Sequence, residues 1–527
     1  MRPPSPNRRP RHRPVPREGA ILLAVLVVIA LVTIGSTAYF QWAFTERRAA
    51  DMFGRQTQAR YAAESAIEYL HVFLAQEDTE IETDGGVYDN PARFRGLTLI
   101  DDTAAALRCR ATILAPNLDY GEYEGVRFGL ENESSRLNLN TLLALDQISE
   151  TAAREQLMAL PGMTESIADA ILDWMDDDEE PREFGAELSH YAALEPAYEP
   201  QNGPLESLDQ LLMVRDVTPD LLYGLDANRD LVIDVAESMN ATDDTSDMQM
   251  DRGWSAYLTI YSAERELDPE GEPKINVNME DLEELHSAIE QKLGRAEANF
   301  IVAFRQGGPK EGEASSAAVK AETVQIDFES PAAVTIDNLL RLVGVEVDVV
   351  QAGENDRQTI EAIFSGDPMQ MSTYLPELLD YLTVYEDEVV PGRLNVNQAP
   401  RALLETIPGM PPEAVESIIG NRDFEVGTDR PDRRHATWMM TEGYVTLEEM
   451  RTMMPLVTAA GSVYRAQIIG FFDDEGPRRR LEAVIDATQP APLVLFQQDL
   501  SALGGGPNVA DLGAIPDVVE GGDSPGL

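Results

Sequence analysis

Cysteine is almost missing from this chain: Cys109 is the single one in 527 residues. An intrachain disulfide is thereby excluded. The five histidines, His12, His71, His190, His286 and His435, are scattered and give no cysteine–histidine zinc spacing. No serine stands in a GxSxG elbow, and no GxxxxGK[ST] phosphate loop is present; the run Gly504–Gly506 lies close to the C-terminus. Basic residues are also scarce, 41 against 93 acids, for a formal charge of −52. A surface of that sign repels nucleic-acid backbones and anionic lipid. With so many acids, glycosidase-like carboxylate pairs arise by chance, and no aromatic cluster marks a sugar cleft. The sequence offers no catalytic constellation, and the expectation is a protein that is not an enzyme.

The length suggests three or four domains at ~150 residues each, and 43% hydrophobic residues suffice for buried cores. The N-terminus is asymmetric. Arg2, Arg8, Arg9, Arg11, Arg13 and Arg17 stand against one acid, Glu18, and then no charged residue occurs from Ala20 to Phe44. As a helix that run spans ~37 Å, enough for a hydrocarbon core of ~30 Å. Arginines ahead of it keep the N-terminus in the cytoplasm and send the acidic bulk outward. A cleaved secretory signal with its cut near Ser36-Thr37-Ala38 competes with this reading, but the apolar run continues through Tyr39, Phe40 and Trp42. Beyond the span, Ala49, Met52, Phe53, Ala59, Ala63, Ala66, Ile67, Leu70 and Phe73 or Leu74 recur with helical spacing. This predicts one helix of about 50–57 residues, ~80 Å long. The alternative is an anchor followed by a separate surface helix, with the break at Gly54.

A basic leader ending in glycine, followed by an apolar helix that runs into an amphipathic one, resembles pilin-like proteins. The resemblance implies cleavage by prepilin peptidase between Gly19 and Ala20, with Ala20 as the methylated mature N-terminus. Most such proteins carry glutamate as the fifth mature residue; this chain has Ala24. That departure fits the type II secretion minor pseudopilin K family, which lacks the glutamate.

A short motif recurs in the exported part: RLNLN at Arg136–Asn140, KINVN at Lys274–Asn278 and RLNVN at Arg393–Asn397. Each reads as a buried strand with two asparagines on one side, able to cap a following helix. After the first and third come LPGMTESIADAIL, with Pro161 and Gly162, and IPGMPPEAVESII, with Pro408 and Gly409. The Pro-Gly pairs make tight turns between helices, as in helix-hairpin-helix units of sterile-alpha-motif-like domains. The second copy lacks the Pro-Gly turn and is expected to be degenerate or simply helical. Such hairpins often bind DNA, but Glu165, Asp169, Asp173, Asp176, Asp177, Asp178, Glu179 and Glu180 surround the first without a lysine. Phosphate neutralisation is thus disfavoured. The acidic turn DWMDDDEEPREFGAE, then Tyr191, then NGPLESLDQLLMVRDVTPDLL strengthen the resemblance to the pseudopilin K family, which covers the leader, the long helix and most of residues 120–490. Residues 305–390 match least and read as lineage-specific elaboration.

Strand candidates are Gly125–Glu131, Ser255–Ala263, Ser462–Phe472 and Arg479–Ala487, the last two flanking the hairpin loop Asp473-Asp474-Glu475-Gly476. The expected fold is α+β: a long N-terminal transmembrane and amphipathic helix, a pilin-like antiparallel sheet, and inserted all-helical, helix-hairpin-helix domains. The expected divisions are a leader over 1–19 and the long helix over 20–76. The start of the pilin-like domain covers 77–140, a first helical domain 141–245, and strands with helical elaboration 246–392. A second hairpin domain occupies 393–455, a C-terminal β-hairpin 456–500, and a disordered tail 501–527.

One loop has calcium spacing. In DANRDLVIDVAE, Asp226, Asn228, Asp230, Asp234 and Glu237 stand at positions one, three, five, nine and twelve, with the carbonyl of Val232 at seven. Calcium takes six to eight oxygens and this spacing can wrap them about one ion. Leu231 replaces the usual turn glycine, a defect; the competing reading is a solvated acidic loop. A second, less specific acidic group is Asp173, Asp176, Asp178 and Glu187. The family is known to hold calcium in its helical domain, so the resemblance implies calcium without assigning its ligands.

The resemblance implies a minor pseudopilin at the tip of a periplasmic filament. It would sit in the inner membrane through residues 20–44 and assemble with other minor pseudopilins and the secretion platform, with no nucleic-acid partner. The competing class is a membrane-anchored DNA-uptake receptor.

Overall fold

The computed structural model describes residues 18–147, 151–239, 252–310, 318–350, 357–427, 430–474 and 476–515. The arginine-rich leader lies outside them, apart from its end at Glu18 and Gly19. The residues divide into two units, up to Gln58 and from Ala59 onward.

Helix α1 runs unbroken from Glu18 to Leu74 and passes through Gly54 without interruption. No proline interrupts it, and Thr33, Thr37, Thr45 and Thr57 fold their hydroxyls back onto carbonyls three or four residues earlier. In the first unit its apolar side chains from Ile21 to Phe44 are bare, about half to three-quarters exposed. The helix is long and apolar enough to cross a bilayer.

In the second unit the remainder of α1 is one-sided. Ala63, Ala66, Ile67, Leu70, Phe73 and Leu74 are buried against Phe94, Ala111, Ile113, Ala466, Ile468, Leu481, Ala483 and Ile485. Apart from Phe94, those partners alternate along the strands β2 (Cys109–Asp119), β5 (Val463–Phe472) and β6 (Arg479–Asp486), which lie in one sheet with β1 (Leu97–Ile100), β3 (Glu122–Arg127), β4 (Glu131–Asn132) and β7 (Leu493–Asp499). The strands form one antiparallel sheet in the order β1-β2-β5-β6-β7, with β3 on β2 and β4 on β5. Small residues let the helix come close: a Cβ on Gly470 would lie 1.9 Å from the Ala59 carbonyl oxygen.

Neighbours β2 and β5 are separated by more than 340 residues, so the helical part is an insertion between sheet strands. It contains two Pro-Gly turns. The first joins α2 (Ala152–Leu157) to α3 (Glu165–Met175), and the Met163 amide closes onto the Leu160 carbonyl at 3.1 Å. The other joins α6 (Arg401–Leu404) to α7 (Pro412–Asn421), with Met410 closing onto Ile407 at 3.0 Å. Gly162 and Gly409 sit at φ of 67° and 87°, the left-handed corner of a type II turn. Between them lie α4 (Leu282–Lys292) and α5 (Arg295–Gly307).

The second motif copy is followed by a helix pair, as expected of a simply helical segment, and Gly294 at φ 121° turns the chain between the two helices without proline. Three expectations need correction. Ser255–Ala263 supplies no strand to the main sheet; Leu258–Thr259 pairs with Leu137–Asn138 in the insertion, and Ala263 opens the separate strand Ala263–Arg265. Gly125–Glu131 is broken at Phe128 and Gly129 between β3 and β4. The end of the chain is not unstructured as far as residue 515. Leu512 is buried beside Leu114, Ile469 and Phe471, its carbonyl accepts the Thr112 hydroxyl at 2.7 Å, and the Asp511 carbonyl accepts Arg95 Nε at 3.0 Å.

Candidate metal centre

The first helix pair positions an acidic cluster. Thr164 caps α3 by accepting the Ile167 amide at 3.3 Å, and the helix ends at Met175, so Asp176 and Asp178 follow directly in the turn. The Gly185-Ala186-Glu187 segment returns past that end. A Cβ on Gly185 would lie 1.8 Å from Asp173 Oδ2, so glycine is required for the approach. Ala186 is buried and Glu187 is 2% exposed.

One oxygen each from Asp176, Asp178 and Glu187 lies within 4.8 Å of the others, the arrangement of carboxylates that a metal ion can hold together. Both Glu187 oxygens and Asp176 Oδ1 are buried without a hydrogen-bond partner. Burial first, then Asp173 and Asp176, push the Glu187 carboxyl up to about 7. Asp173 stands apart: its carboxylate takes the Arg182 amide and, at 3.1 Å, Arg182 Nη1. The same guanidinium reaches Asp176 Oδ2. Two residues of this site were not read from the sequence, Arg182 and Asn202. Asn202 donates Nδ2 to the Asp178 carbonyl at 2.7 Å while its Oδ1 is buried and unpartnered. Neither carried a signal beyond its type. The donor set is oxygen throughout and anionic, which suits calcium and not a soft metal.

The loop Asp226–Glu237 is closed by its own backbone. Asp226 accepts the amides of Asp230 and Leu231, both at 2.9 Å; Asp230 accepts that of Val232 at 3.1 Å, and Asp234 that of Glu237 at 2.8 Å. Glu237 accepts the amides of Asn228 at 3.2 Å and Asp234 at 3.0 Å. Leu231 takes the glycine-type corner despite its side chain, with φ 71°. The defect read from the sequence is thus met by backbone strain. Asn228 Oδ1 is buried without a partner, and burial pushes Asp226 up to about 6. These features fit an oxygen-liganded cation, although the carboxylates that converge among the described residues are those of the other cluster.

The loop is seated on the sheet face opposite α1. Gln467 of β5 donates to the Arg229 carbonyl at 2.7 Å, Arg480 of β6 to the Asn228 carbonyl, and Arg229 Nη1 to Gln498 Oε1 of β7 at 3.1 Å. Arg480 is fully buried, with Nε and Nη1 unpartnered, and Asp230 and Asp226 are the carboxylates that act on it most strongly. Sequence spacing gave no hint of this arginine.

At the hairpins, Pro161 offers its carbonyl to Trp254 Nε1 at 2.7 Å, and Gly409 lies against Thr452. Both turns are engaged by the protein's own side chains.

Residues 135–226 match the family model described as Type II secretion system (T2SS), protein K. A chain in the crystal structure of the GspK-GspI-GspJ complex from the enterotoxigenic Escherichia coli Type 2 Secretion System is similar at 11% identity and a TM-score of 0.37, over 86% of this chain and 99% of that one. No curated protein matches the chain.

Proposed function

We propose that this chain, whose residues 135–226 match the type II secretion protein K model, works as a minor pseudopilin of a type II secretion system. The family is a structural component of the secretion machinery, not an enzyme. The observation that carries the reading is α1: one unbroken helix with a bare apolar first half and a final stretch from Ala59 that buries one face against a pilin-like sheet. Such a helix serves as a membrane anchor before assembly and as a packing rod afterwards, because its apolar surface is buried equally well by lipid or by sister helices.

In detail, prepilin peptidase cuts between Gly19 and Ala20, and the head faces the periplasm from the inner membrane. The protein stands at the filament tip with other minor pseudopilins beneath it, on the secretion platform. In the family view the fifth-residue glutamate pairs with a neighbour's N-terminal amine, and a tip subunit has no neighbour above it; Ala24 agrees with that placement. Calcium, held at Asp176, Asp178 and Glu187 and in the Asp226–Glu237 loop, neutralises carboxylates that otherwise repel one another.

Mass spectrometry of the mature protein tests the processing: N-methylated Ala20 is expected, and a soluble form starting beyond residue 38 would end the proposal. Co-isolation with the other minor pseudopilins from detergent-solubilised membranes tests assembly. Filter binding of DNA at low salt separates the receptor alternative; tight, salt-sensitive retention would favour the receptor.

A further inference from the structure

Three places in the head repeat one bonding pattern. Leu137–Asn138, Ile275–Asn276 and Leu394–Asn395 each pair in parallel with a strand distant in sequence: Leu258–Thr259, Leu382–Thr383 and Val457–Thr458. In each first strand the asparagine Oδ1 accepts the amide two residues on, from Asn140, Asn278 and Asn397, at 3.0, 2.8 and 3.0 Å. In each second strand the threonine Oγ1 does likewise, from Tyr261, Tyr385 and Ala460, at 3.0, 3.2 and 3.1 Å.

The later asparagine of each pair then pins the far side of its copy. Asn140 exchanges two hydrogen bonds with the Leu205 backbone, and Asn278 exchanges two with that of Ile336. Two residues further on, Ser207 and Asn338 cap the short helices Leu208–Met213 and Leu339–Leu342. In the third copy Asn397 instead bonds Trp438 Nε1 and the Ala459 carbonyl, and Thr446 caps Leu447–Met453. The basic residue that opens each motif meets a glutamate: Arg136 with Glu131, Lys274 with Glu266 and Arg393 with Glu264. Arg305, in the last turn of α5, and Arg422, just after α7, both donate to the valine carbonyl inside their own Asn-Val-Asn, Val277 and Val396. A single coincidence of this kind would mean little. The agreement of strand pairing, both side-chain turns and the ion pair marks one structural module used three times.

The middle copy leaves and rejoins the chain at one spot. Ala263–Arg265 pairs antiparallel with Val389–Pro391, Ala263 standing opposite Pro391, and the Gly392 amide donates to the Ser262 carbonyl at 3.2 Å. Every lysine of the protein, Lys274, Lys292, Lys310 and Lys320, falls inside this stretch, whereas the rest of the chain uses arginine alone as its permanent cation. Side-chain hydrogen bonds from the third copy to it include those of Arg434 and His435 to Asp380, and of Arg451 to the carbonyls of Leu340 and Val343.

We propose that the head holds three copies of one module, over residues 136–262, 274–385 and 393–460, and that the middle one is an inserted lobe which the first copy and the sheet do without. The claim stands on internal geometry and does not depend on a role in secretion.

A full-length variant lacking residues 263–391, with Ser262 joined to Gly392, is the direct test. In detergent it should melt cooperatively, and amide protection in α3, β5 and β6 should stay within about twofold of the parent. A second variant guards against a faulty junction. Asn278→Ala in the intact chain should lower protection at least tenfold within residues 274–385 while leaving α3 and β6 unchanged. Loss of protection in α3 and β6 in either variant would overturn the proposal.

Discussion

Gly470 of β5 lies directly against Ala59 of α1, so close that a methyl group on the glycine would sit 1.9 Å from the alanine's carbonyl oxygen and 3.0 Å from the Ala63 amide nitrogen. The contact is backbone to backbone, and no side chain can turn away to relieve it. Gly470→Val should therefore push helix and sheet apart, costing about 3 kcal/mol or more. Thermal melting of the full chain in detergent checks this; an unchanged midpoint would mean that the helix does not rest on β5.

Glu133 and Arg465 form a buried ion pair in the head. The carboxylate is fully buried and also takes the Thr259 hydroxyl, while Arg465 bonds Glu482 at 2.6 Å. Glu133→Ala removes one of the two carboxylates that hold that buried guanidinium and leaves Glu482 alone to balance it, at a cost of about 3 kcal/mol. Glu133→Gln, which keeps the shape, should cost less. Equal losses in the two variants would show that charge is not the cause.

The carboxylates set opposing pH dependences. Burial alone raises Glu133, but Arg465 and Arg136 outweigh it and hold the group below its ordinary value. Its contribution is therefore present above about pH 4.5 and lost as pH falls through the lower, folded value. Glu187 is raised to about 7, so it favours the folded state below about 4.5 and loses that benefit as pH rises toward 7. A calcium ion held by this cluster would compete with the proton for Glu187. The rise in melting temperature caused by millimolar calcium should thus be larger at pH 8 than at pH 5, and Glu187→Gln should flatten the difference. A calcium shift independent of pH and of this substitution would exclude the cluster.

The two candidate ion sites can be separated by calorimetry. Asp176→Asn removes one converging oxygen, whereas Asp226→Asn together with Glu237→Gln disables the loop. Each should remove one binding event and leave the other. Full binding after both changes would place calcium elsewhere.

A net charge of −52 repels itself at low ionic strength. Raising potassium chloride from about 0.01 to 0.5 M shortens the screening length from ~30 Å to under 5 Å. The melting temperature should rise with it, as expected where self-repulsion opposes compaction. A flat salt response would show that the acids are already neutralised in pairs.

The long helix was legible because a charge-free run leads into a clean apolar stripe, and β5 and β6 because their alternation brackets an acidic loop. Strand β2 was missed: Arg110, Pro116 and Asn117 break its apolar pattern, although Arg110 is buried and satisfied by Asp473 at 2.8 Å. Strand β7 is an edge, alternately exposed and half-buried, so Leu493 and Leu495 face outward and give no core signal. The metal candidates divide in the same way. A loop of contiguous residues shows its spacing, and Glu187 was read with Asp176 and Asp178, while Asn202 joins them only through the fold. The helical character of the middle stretch was legible, but its turn was not, because Gly294 alone does the work for which a Pro-Gly pair was sought.

A segment whose two ends meet side by side asks nothing of the path around it. Ser262 and Gly392 are already hydrogen-bonded neighbours, so related chains can acquire or discard the intervening stretch in one recombination event without rerouting either flank. Length variation among such heads should therefore come in whole lobes of about this size, with the join falling at that seam.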